Sequence, residues 1–85
     1  MTAEPVVYVV DDDPSVGKAL ERLIRSAGYK VLAFTSAQDF LQCKIMETAA
    51  CLVLDVNMPG LNGLQLQEYL AERRIPLPIV IALKP

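Results

Sequence analysis

Residues 51–60 read CLVLDVNMPG, and they set the interpretation of the whole chain. Four apolar residues in succession, followed at once by an acid and by turn-forming residues, are typical of a strand buried on both faces. Asp55 therefore stands at the carboxyl end of this strand. Residues 6–10, VVYVV, predict a second strand of the same kind, and it runs into Asp11–Asp13. Ligands of open parallel sheets bind outside the carboxyl ends of the strands, so both groups of acids indicate a site at that edge.

The first helix is predicted to begin at Pro14, with Asp13 as its N-cap, and to end at Gly28. Proline is well tolerated at the first helical position, and glycine is common just past a helix C-terminus. The apolar residues of this segment recur at helical spacing and predict one buried face. They are Val16, Leu20, Leu23, Ile24 and Ala27.

After the first helix, the sequence predicts another strand and a short helix. In residues 29–34 apolar and polar residues alternate only in part, which is typical of a short strand at a sheet edge. Ser36 with Asp39 three residues later resembles a capping box and predicts a short helix carrying Phe40. This helix is expected to end somewhere within residues 44–49, where the signals are weak.

The last helix is predicted from the capping residue Asn62 through about Arg73, and the last strand covers residues 79–83. The expected buried positions of that helix are Leu66, Tyr69 and Leu70. The resulting order, βαβαβαβ, requires a parallel sheet with right-handed crossovers and helices on both faces. The fold class is therefore α/β, a doubly wound parallel sheet, and the order expected for it is the known flavodoxin-like order 2-1-3-4. This order places the first and third strands side by side and brings Asp11, Asp12 and Asp55 together.

Composition excludes several classes of function. The chain has 85 residues, enough for one small domain, and a net charge of −2 with scattered basic residues, which argues against direct nucleic-acid binding. The absence of histidine excludes Ser-His-Asp and Cys-His catalysis and His-based zinc sites. No apolar run is long enough to span a bilayer and no secretory signal is seen, so a cytoplasmic protein is expected. In that compartment Cys43 and Cys51 are expected to be buried and reduced.

Three carboxylates at one edge of a sheet repel one another unless protons or a cation relieve the repulsion. Mg²⁺ suits such a site because it takes one or two carboxylates and a carbonyl and leaves positions for phosphate oxygens. Asp55 is then the expected nucleophile, since a carboxylate can accept a phosphoryl group as an acyl phosphate. Solvated acids around a helix cap are the alternative for Asp11–Asp13, and an ordinary turn-forming residue is the alternative for Asp55.

Three segments together resemble the receiver domain of bacterial two-component response regulators, and the resemblance runs from residue 6 to about residue 81. They are VVDDD at 9–13, DVNMPG at 55–60 and NG at 62–63. The resemblance implies that Asp55 is phosphorylated, that Asp12 binds the metal directly and Asp11 through water, and that the backbone carbonyl of Asn57 completes the site. It also implies a sensor histidine kinase as partner. The stretch also resembles receivers that precede a helix-turn-helix DNA-binding domain.

The chain departs from the complete receiver pattern at its C-terminal end. The family has five βα units, and residues 1–85 are expected to form a single truncated receiver domain. The family's hydroxyl position falls on Leu83, while Lys84 resembles the lysine that precedes proline in the fifth strand and is kept as a candidate for contacting the phosphoryl group. An uncovered fourth strand and sheet face predict self-association.

The leading interpretation is a phosphoacceptor signalling module that uses Mg²⁺ and is not an enzyme. One alternative is an interaction-only receiver fragment that no longer switches. Another is a Mg²⁺-dependent phosphohydrolase that forms an aspartyl phosphate. Such enzymes carry a second acid two residues after the nucleophile, and Asn57 at this position argues against that alternative.

Overall fold

A computed structural model describes residues 5–43, 45, 48–55 and 63–82. Strands and helices alternate along the chain, as the sequence predicts. The strands are β1 (Val6–Val10), β2 (Lys30–Phe34), β3 (Ala49–Asp55) and β4 (Ile79–Ala82). The helices are α1 (Pro14–Ser26), α2 (Ala37–Gln42) and α3 (Gly63–Glu72).

The four strands form one parallel sheet in the order β2-β1-β3-β4, which confirms the predicted topology. Val10 pairs with Phe34 of β2 on one side and with Leu54 of β3 on the other. The ends of these three strands are therefore aligned at one edge of the sheet. β3 begins at Ala49, earlier than the sequence predicts, and the register against β1 shifts between Val6 and Val7.

The two faces of the sheet carry separate hydrophobic clusters, because successive side chains of a strand point to opposite faces. Tyr8 and its alternate neighbours in β1 join the larger cluster, which also contains Phe40 of α2 and Leu66 and Leu70 of α3. Val7 and Val9 join the smaller one, against which Leu20 and Ile24 of α1 pack. Helices therefore cover both faces, with α1 on one side and α2 and α3 on the other.

Three aromatic rings hold the larger cluster together beneath β1 and β2. Tyr8 is fully buried, and its ring lies 5.4 Å from that of Phe40 in an edge-to-face arrangement. Phe34 lies 5.8 Å from Phe40 and 6.3 Å from Tyr8, measured between ring centroids. Such pairs add about 0.5–1.5 kcal/mol each beyond the area that they bury. These ring contacts attach α2 to β1 and β2, whose carboxyl ends lie near the acids.

The buried face of α1 is narrower than the sequence predicts. Leu20 and Ile24 are half-buried against the sheet, whereas Leu23 is 67% exposed and Ala27 is exposed. Because each residue advances about 100° around a helix axis, Leu23 stands about 100° from Ile24 and leaves the contact face. Ala27 is the C-cap, beyond the last residue that packs on the sheet. The predicted burial of Leu23 and Ala27 is therefore wrong.

The predicted burial in α3 is confirmed by the structure. Leu66 and Leu70 are almost completely buried, and Tyr69 packs against the same cluster. The outer side of Tyr69 is covered by Arg73, whose guanidinium carbon lies 3.6 Å from the ring centroid. None of the helices in the part of the chain that the structure describes is long and apolar enough to cross a bilayer.

The two cysteines are free thiols and pack on different clusters. Cys43 lies against the larger cluster and Cys51 against the smaller one, so the sheet separates them. Both are half-buried rather than fully buried. Burial raises the pKa of the Cys43 thiol, and a hydrogen bond with its own backbone opposes the shift only in part. The predicted reduced state is consistent with this separation.

α1 and α3 end in the same hydrogen-bonded motif with different residues in the left-handed position. After α1, the N–H groups of Gly28 and Tyr29 donate to carbonyls of the last turn, and Gly28 has a φ of 96°. After α3, the N–H groups of Arg74 and Ile75 donate to the corresponding carbonyls, and Arg74 has a φ of 55°. A side chain at such a φ is strained, and glycine relieves the strain.

We expect Arg74→Gly to stabilise the fold by about 1 kcal/mol and Gly28→Ala to destabilise it by a similar amount. The free energy of unfolding from urea denaturation measures both effects. Arg74→Ala is the matched control, since it removes the same side chain but keeps the strained backbone. A gain in stability as large for Arg74→Ala as for Arg74→Gly would contradict the explanation by backbone strain.

Candidate phosphoryl and metal site

Three acids converge where β1 and β3 end. Asp11 follows the last residue of β1, and Asp55 is the last residue of β3. Because these two parallel strands are neighbours, both residues emerge at one edge of the sheet. Asp11, Asp12 and Asp55 each offer a carboxylate oxygen, and the three oxygens lie within 4.8 Å of one another. The structure therefore brings together the three acids that the sequence singles out.

The members of this acid cluster differ in burial. Asp11 is 2% and Asp55 3% exposed, whereas Asp12 is exposed to solvent. Asp11 is held from two sides, since its backbone N–H donates to the carbonyl of Phe34 at 3.0 Å and its Oδ1 accepts from the N–H of Asp13 at 2.9 Å. The site thus has two buried carboxylates on its protein side and one exposed acid on its solvent side.

Two carboxylates at this separation are electrostatically unfavourable. At an effective dielectric constant near 20, the buried pair Asp11 and Asp55 repels by about 3 kcal/mol when both are ionised. A bound cation removes this repulsion, and an oxygen-only donor set suits a hard divalent ion such as Mg²⁺. The chemistry of these three side chains therefore fits a magnesium site, with Asp11, Asp12 and Asp55 available to hold the ion.

Asp13 is not a member of the acid cluster, although it is the third acid of the run. Its side chain accepts a hydrogen bond from the N–H of Ser15 at 2.9 Å, and Asp13 is the N-cap of α1. The sequence predicts this cap correctly. What sequence reasoning missed is that the backbone of Asp13 also binds Asp11. The position of Asp13, two residues after Asp11 and directly before Pro14, is a signal from which this contact can be inferred.

A small cleft opens beside Asp11, between the first turns of α1 and the end of β2. Its volume is about 170 Å³. It is lined by Asp11, Pro14, Gly17, Lys18, Glu21, Ala33, Phe34 and Thr35. Sequence reasoning did not predict this cleft, because it depends on how α1 packs across β2. Apart from its chain neighbours and the backbone of α1, no heavy atom of the described residues lies within 4 Å of the place that a side-chain carbon of Gly17 would occupy, so this glycine leaves space in the cleft wall.

Two of the predicted site residues lie outside the described residues. They are Asn57, whose carbonyl the resemblance assigns to the metal, and Lys84, the candidate for contacting the phosphoryl group. The same holds for Leu83, the predicted turn at 58–60 and the predicted cap Asn62. Their expected roles stay predictions.

A doubly wound parallel sheet with an acid cluster at the point where strand order reverses defines a class of ligand-binding α/β domain. The sequence model of the response regulator receiver domain matches residues 7–83. The chain belongs to this family, as the three sequence segments led us to expect.

Similarity to individual relatives agrees with this assignment. The chain is 44% identical over 79 residues to nodulation protein W of Bradyrhizobium diazoefficiens, and 49% identical over 74 residues to the transcriptional regulatory protein TdiR of Thauera aromatica. These matches cover 93% and 87% of the chain but only 35% and 33% of the two relatives. The chain therefore spans about a third of the length of these proteins.

Among solved structures, the response regulator StyR superposes with a TM-score of 0.86 and 46% sequence identity. The match covers 98% of this chain and 42% of the StyR chain. The fold described above is therefore the receiver fold.

We expect Gly17→Ala to stabilise the protein by about 0.5–1 kcal/mol, because alanine favours a helix interior and the cleft has room for its methyl group. Urea denaturation followed by circular dichroism measures the change. Ala19→Gly, at an exposed position of the same helix, is the matched control and is expected to destabilise by a similar amount. Loss of stability in Gly17→Ala would show that the cleft is smaller in solution.

Proposed function

We propose that this receiver domain is a Mg²⁺-dependent phosphoacceptor of a two-component system, with Asp55 as the residue that is phosphorylated. The observation that carries the proposal is the convergence of Asp11, Asp12 and Asp55 within 4.8 Å at the carboxyl edge of the sheet. We propose further that residues 1–85 fold as one receiver unit and act in the cytoplasm.

Asp55 is suited to accept a phosphoryl group because it ends a strand whose position the sheet fixes. In the proposed reaction a carboxylate oxygen of Asp55 attacks the phosphorus of a phosphohistidine. The phosphorus–nitrogen bond breaks, the imidazole nitrogen retains the electron pair, and an acyl phosphate forms on Asp55. The 85 residues contain no histidine, so the donor histidine lies outside them, and a sensor histidine kinase is the proposed donor.

The neighbouring acids prepare this reaction by holding the cation. Bound Mg²⁺ supplies positive charge that offsets the carboxylates and the phosphoryl oxygens. In the proposed site the buried residues Asp11 and Asp55 would hold the ion from the protein side and the exposed residue Asp12 from the solvent side. We assign the further ligand, the carbonyl of Asn57, by resemblance to the family. Besides the metal ion, Lys84 is a candidate for contacting the phosphoryl group.

The readout of phosphorylation is proposed from the relatives. TdiR is a transcriptional regulatory protein, and the chain covers 33% of its length. We infer that this domain serves a transcription regulator whose DNA-binding region is separate from the receiver and of the helix-turn-helix kind. The receiver itself is not expected to bind nucleic acid.

We expect wild-type protein to gain one phosphoryl group when it is incubated with Mg²⁺ and a small acyl phosphate, as read by intact mass. Asp55→Asn is expected to gain none, because the amide is not a nucleophile for this reaction. Asp39→Asn is the matched control, since it neutralises an exposed acid at the start of α2, outside the acid cluster. Chelation of Mg²⁺ is expected to abolish labelling of the wild type.

Two outcomes would contradict the phosphoacceptor proposal. Equal labelling of wild type and Asp55→Asn would place the modification elsewhere. Failure of the folded wild type to be labelled at all would favour the interaction-only alternative, in which the domain binds partners without switching.

We also propose that the chain self-associates through β4. Within the described residues no strand pairs with the outer side of β4, and its side chains Val80 and Ile81 are 50% and 43% exposed. The strand IVIA carries no charge, whereas the opposite edge strand β2 begins with exposed Lys30. Charged residues on an edge strand discourage pairing with another chain, and β4 lacks that protection.

We expect the wild-type chain to form dimers or larger species at micromolar concentration, and Val80→Lys to shift it toward monomer by placing a charge on the unprotected edge. Size-exclusion chromatography with light scattering measures the mass. Leu64→Lys is the matched control, because Leu64 is 65% exposed on α3 rather than on the sheet edge. A stable wild-type monomer would refute self-association, and an equal effect of both variants would remove β4 from the explanation.

A further inference from the structure

We propose that Asp13 is a positioning residue for the acid cluster: by capping α1 it holds its own backbone N–H in place, and that N–H orients the Asp11 carboxylate. This inference rests on the proposed function, because it concerns the proposed metal site. It assigns a role in that site to a residue that would otherwise only begin a helix.

The first link is the hydrogen bond from the backbone N–H of Asp13 to Oδ1 of Asp11, at 2.9 Å. It joins residues two apart, so it spans the short turn between β1 and α1. A backbone donor on one carboxylate oxygen restricts rotation of the whole carboxylate. Since Asp11 is also 2% exposed, this bond helps to set where its oxygens lie relative to Asp55.

The second link fixes the donor itself. The Asp13 side chain accepts from the N–H of Ser15 at 2.9 Å, and the Asp13 carbonyl accepts from the N–H of Gly17 at 3.0 Å. The backbone of Asp13 has φ −94° and ψ 110°, the extended conformation that an N-cap requires. With side chain and carbonyl both bound to α1, the peptide N–H on the other side of Asp13 keeps a defined direction, toward Asp11.

The two links connect α1 to the metal site through a single residue. They also separate two possible contributions of Asp13, its charge and its capping oxygen. A positioning role requires an acceptor that holds the N-cap conformation, and asparagine and serine provide one about as well as aspartate does. Alanine provides none. Asparagine and alanine are both neutral, so a comparison of Asp13→Asn with Asp13→Ala isolates the acceptor from the charge.

The test uses the full 85-residue chain and Mg²⁺ titrations followed through backbone amide chemical shifts. Asp13→Asn and Asp13→Ser are expected to bind Mg²⁺ within about threefold of the wild type. Asp13→Ala is expected to bind about tenfold more weakly than Asp13→Asn, the lower end of the effect that loss of an outer hydrogen-bond partner has on a metal site. All variants are compared at a temperature where each is folded.

A matched cap elsewhere separates positioning from general loss of stability. Ser36 caps α2 by accepting from the N–H of Asp39 at 3.1 Å. Ser36→Ala removes a helix cap without touching the hydrogen bonds of Asp11 and is expected to keep wild-type Mg²⁺ affinity. Loss of affinity in Ser36→Ala as large as in Asp13→Ala would overturn the inference, as would equal affinities of Asp13→Asn and Asp13→Ala.

A measurement without metal keeps this inference distinct from the proposed function. Hydrogen exchange of the residue 13 amide in metal-free protein is expected to be at least several-fold faster in Asp13→Ala than in Asp13→Asn, because the hydrogen bond to Asp11 loses its support. Equal exchange in the two variants would overturn the inference. A wild type that shows no Mg²⁺-dependent shifts would refute the proposed metal site, and the exchange comparison would still decide the role of Asp13.

Discussion

The carboxylates of Asp11 and Asp55 are both buried at the ends of adjacent buried strands. The parallel pairing of β1 and β3 enforces this, because it aligns the strand ends and places both acids at the same edge. Their burial at 2% and 3% exposure keeps water from screening the repulsion fully. The site therefore favours a bound cation that offsets the two negative charges, and the proposed phosphoacceptor role rests on that electrostatic constraint.

The surrounding structure makes this arrangement stable by covering both faces of the sheet. The ring cluster of Tyr8, Phe34 and Phe40 ties α2 to the ends of β1 and β2, while α1 packs against Val7 and Val9 on the other side. α1 has a second connection to the site, through the hydrogen bonds of Asp13. α1 covers the core and also begins next to Asp13, the residue that holds Asp11. The short turn between β1 and α1 therefore affects both the packing of the helix and the geometry of the site.

Several features lay beyond local sequence patterns for identifiable reasons. Leu23 has the spacing of a buried residue, yet the sheet touches only a narrow strip of α1 and leaves it exposed. Arg74 occupies a left-handed position that glycine normally takes, because Ile75 packs against the core next to the last turn of α3 and holds the chain in that conformation. The cleft beside Asp11 depends on how α1 packs across β2, with Gly17 in its wall, and this is a relation between two elements that no local pattern specifies.

Local chemistry fixed the alternation of strands and helices, the cap at Asp13, the terminator at Gly28 and the identity of the three acids, because each depends on neighbours within a few residues. Handedness and short connections then predicted a parallel sheet with helices on both faces, and the order β2-β1-β3-β4 was expected from the known doubly wound pattern, which the family shares. The distances did not follow from the chain alone. That three carboxylate oxygens come within 4.8 Å, that two are buried and one is exposed, and that the N–H of Asp13 reaches Asp11 all depend on strand register and helix packing. Those are set by contacts between residues 20 to 50 positions apart, such as Val10 with Phe34 and Leu54, which no local pattern encodes.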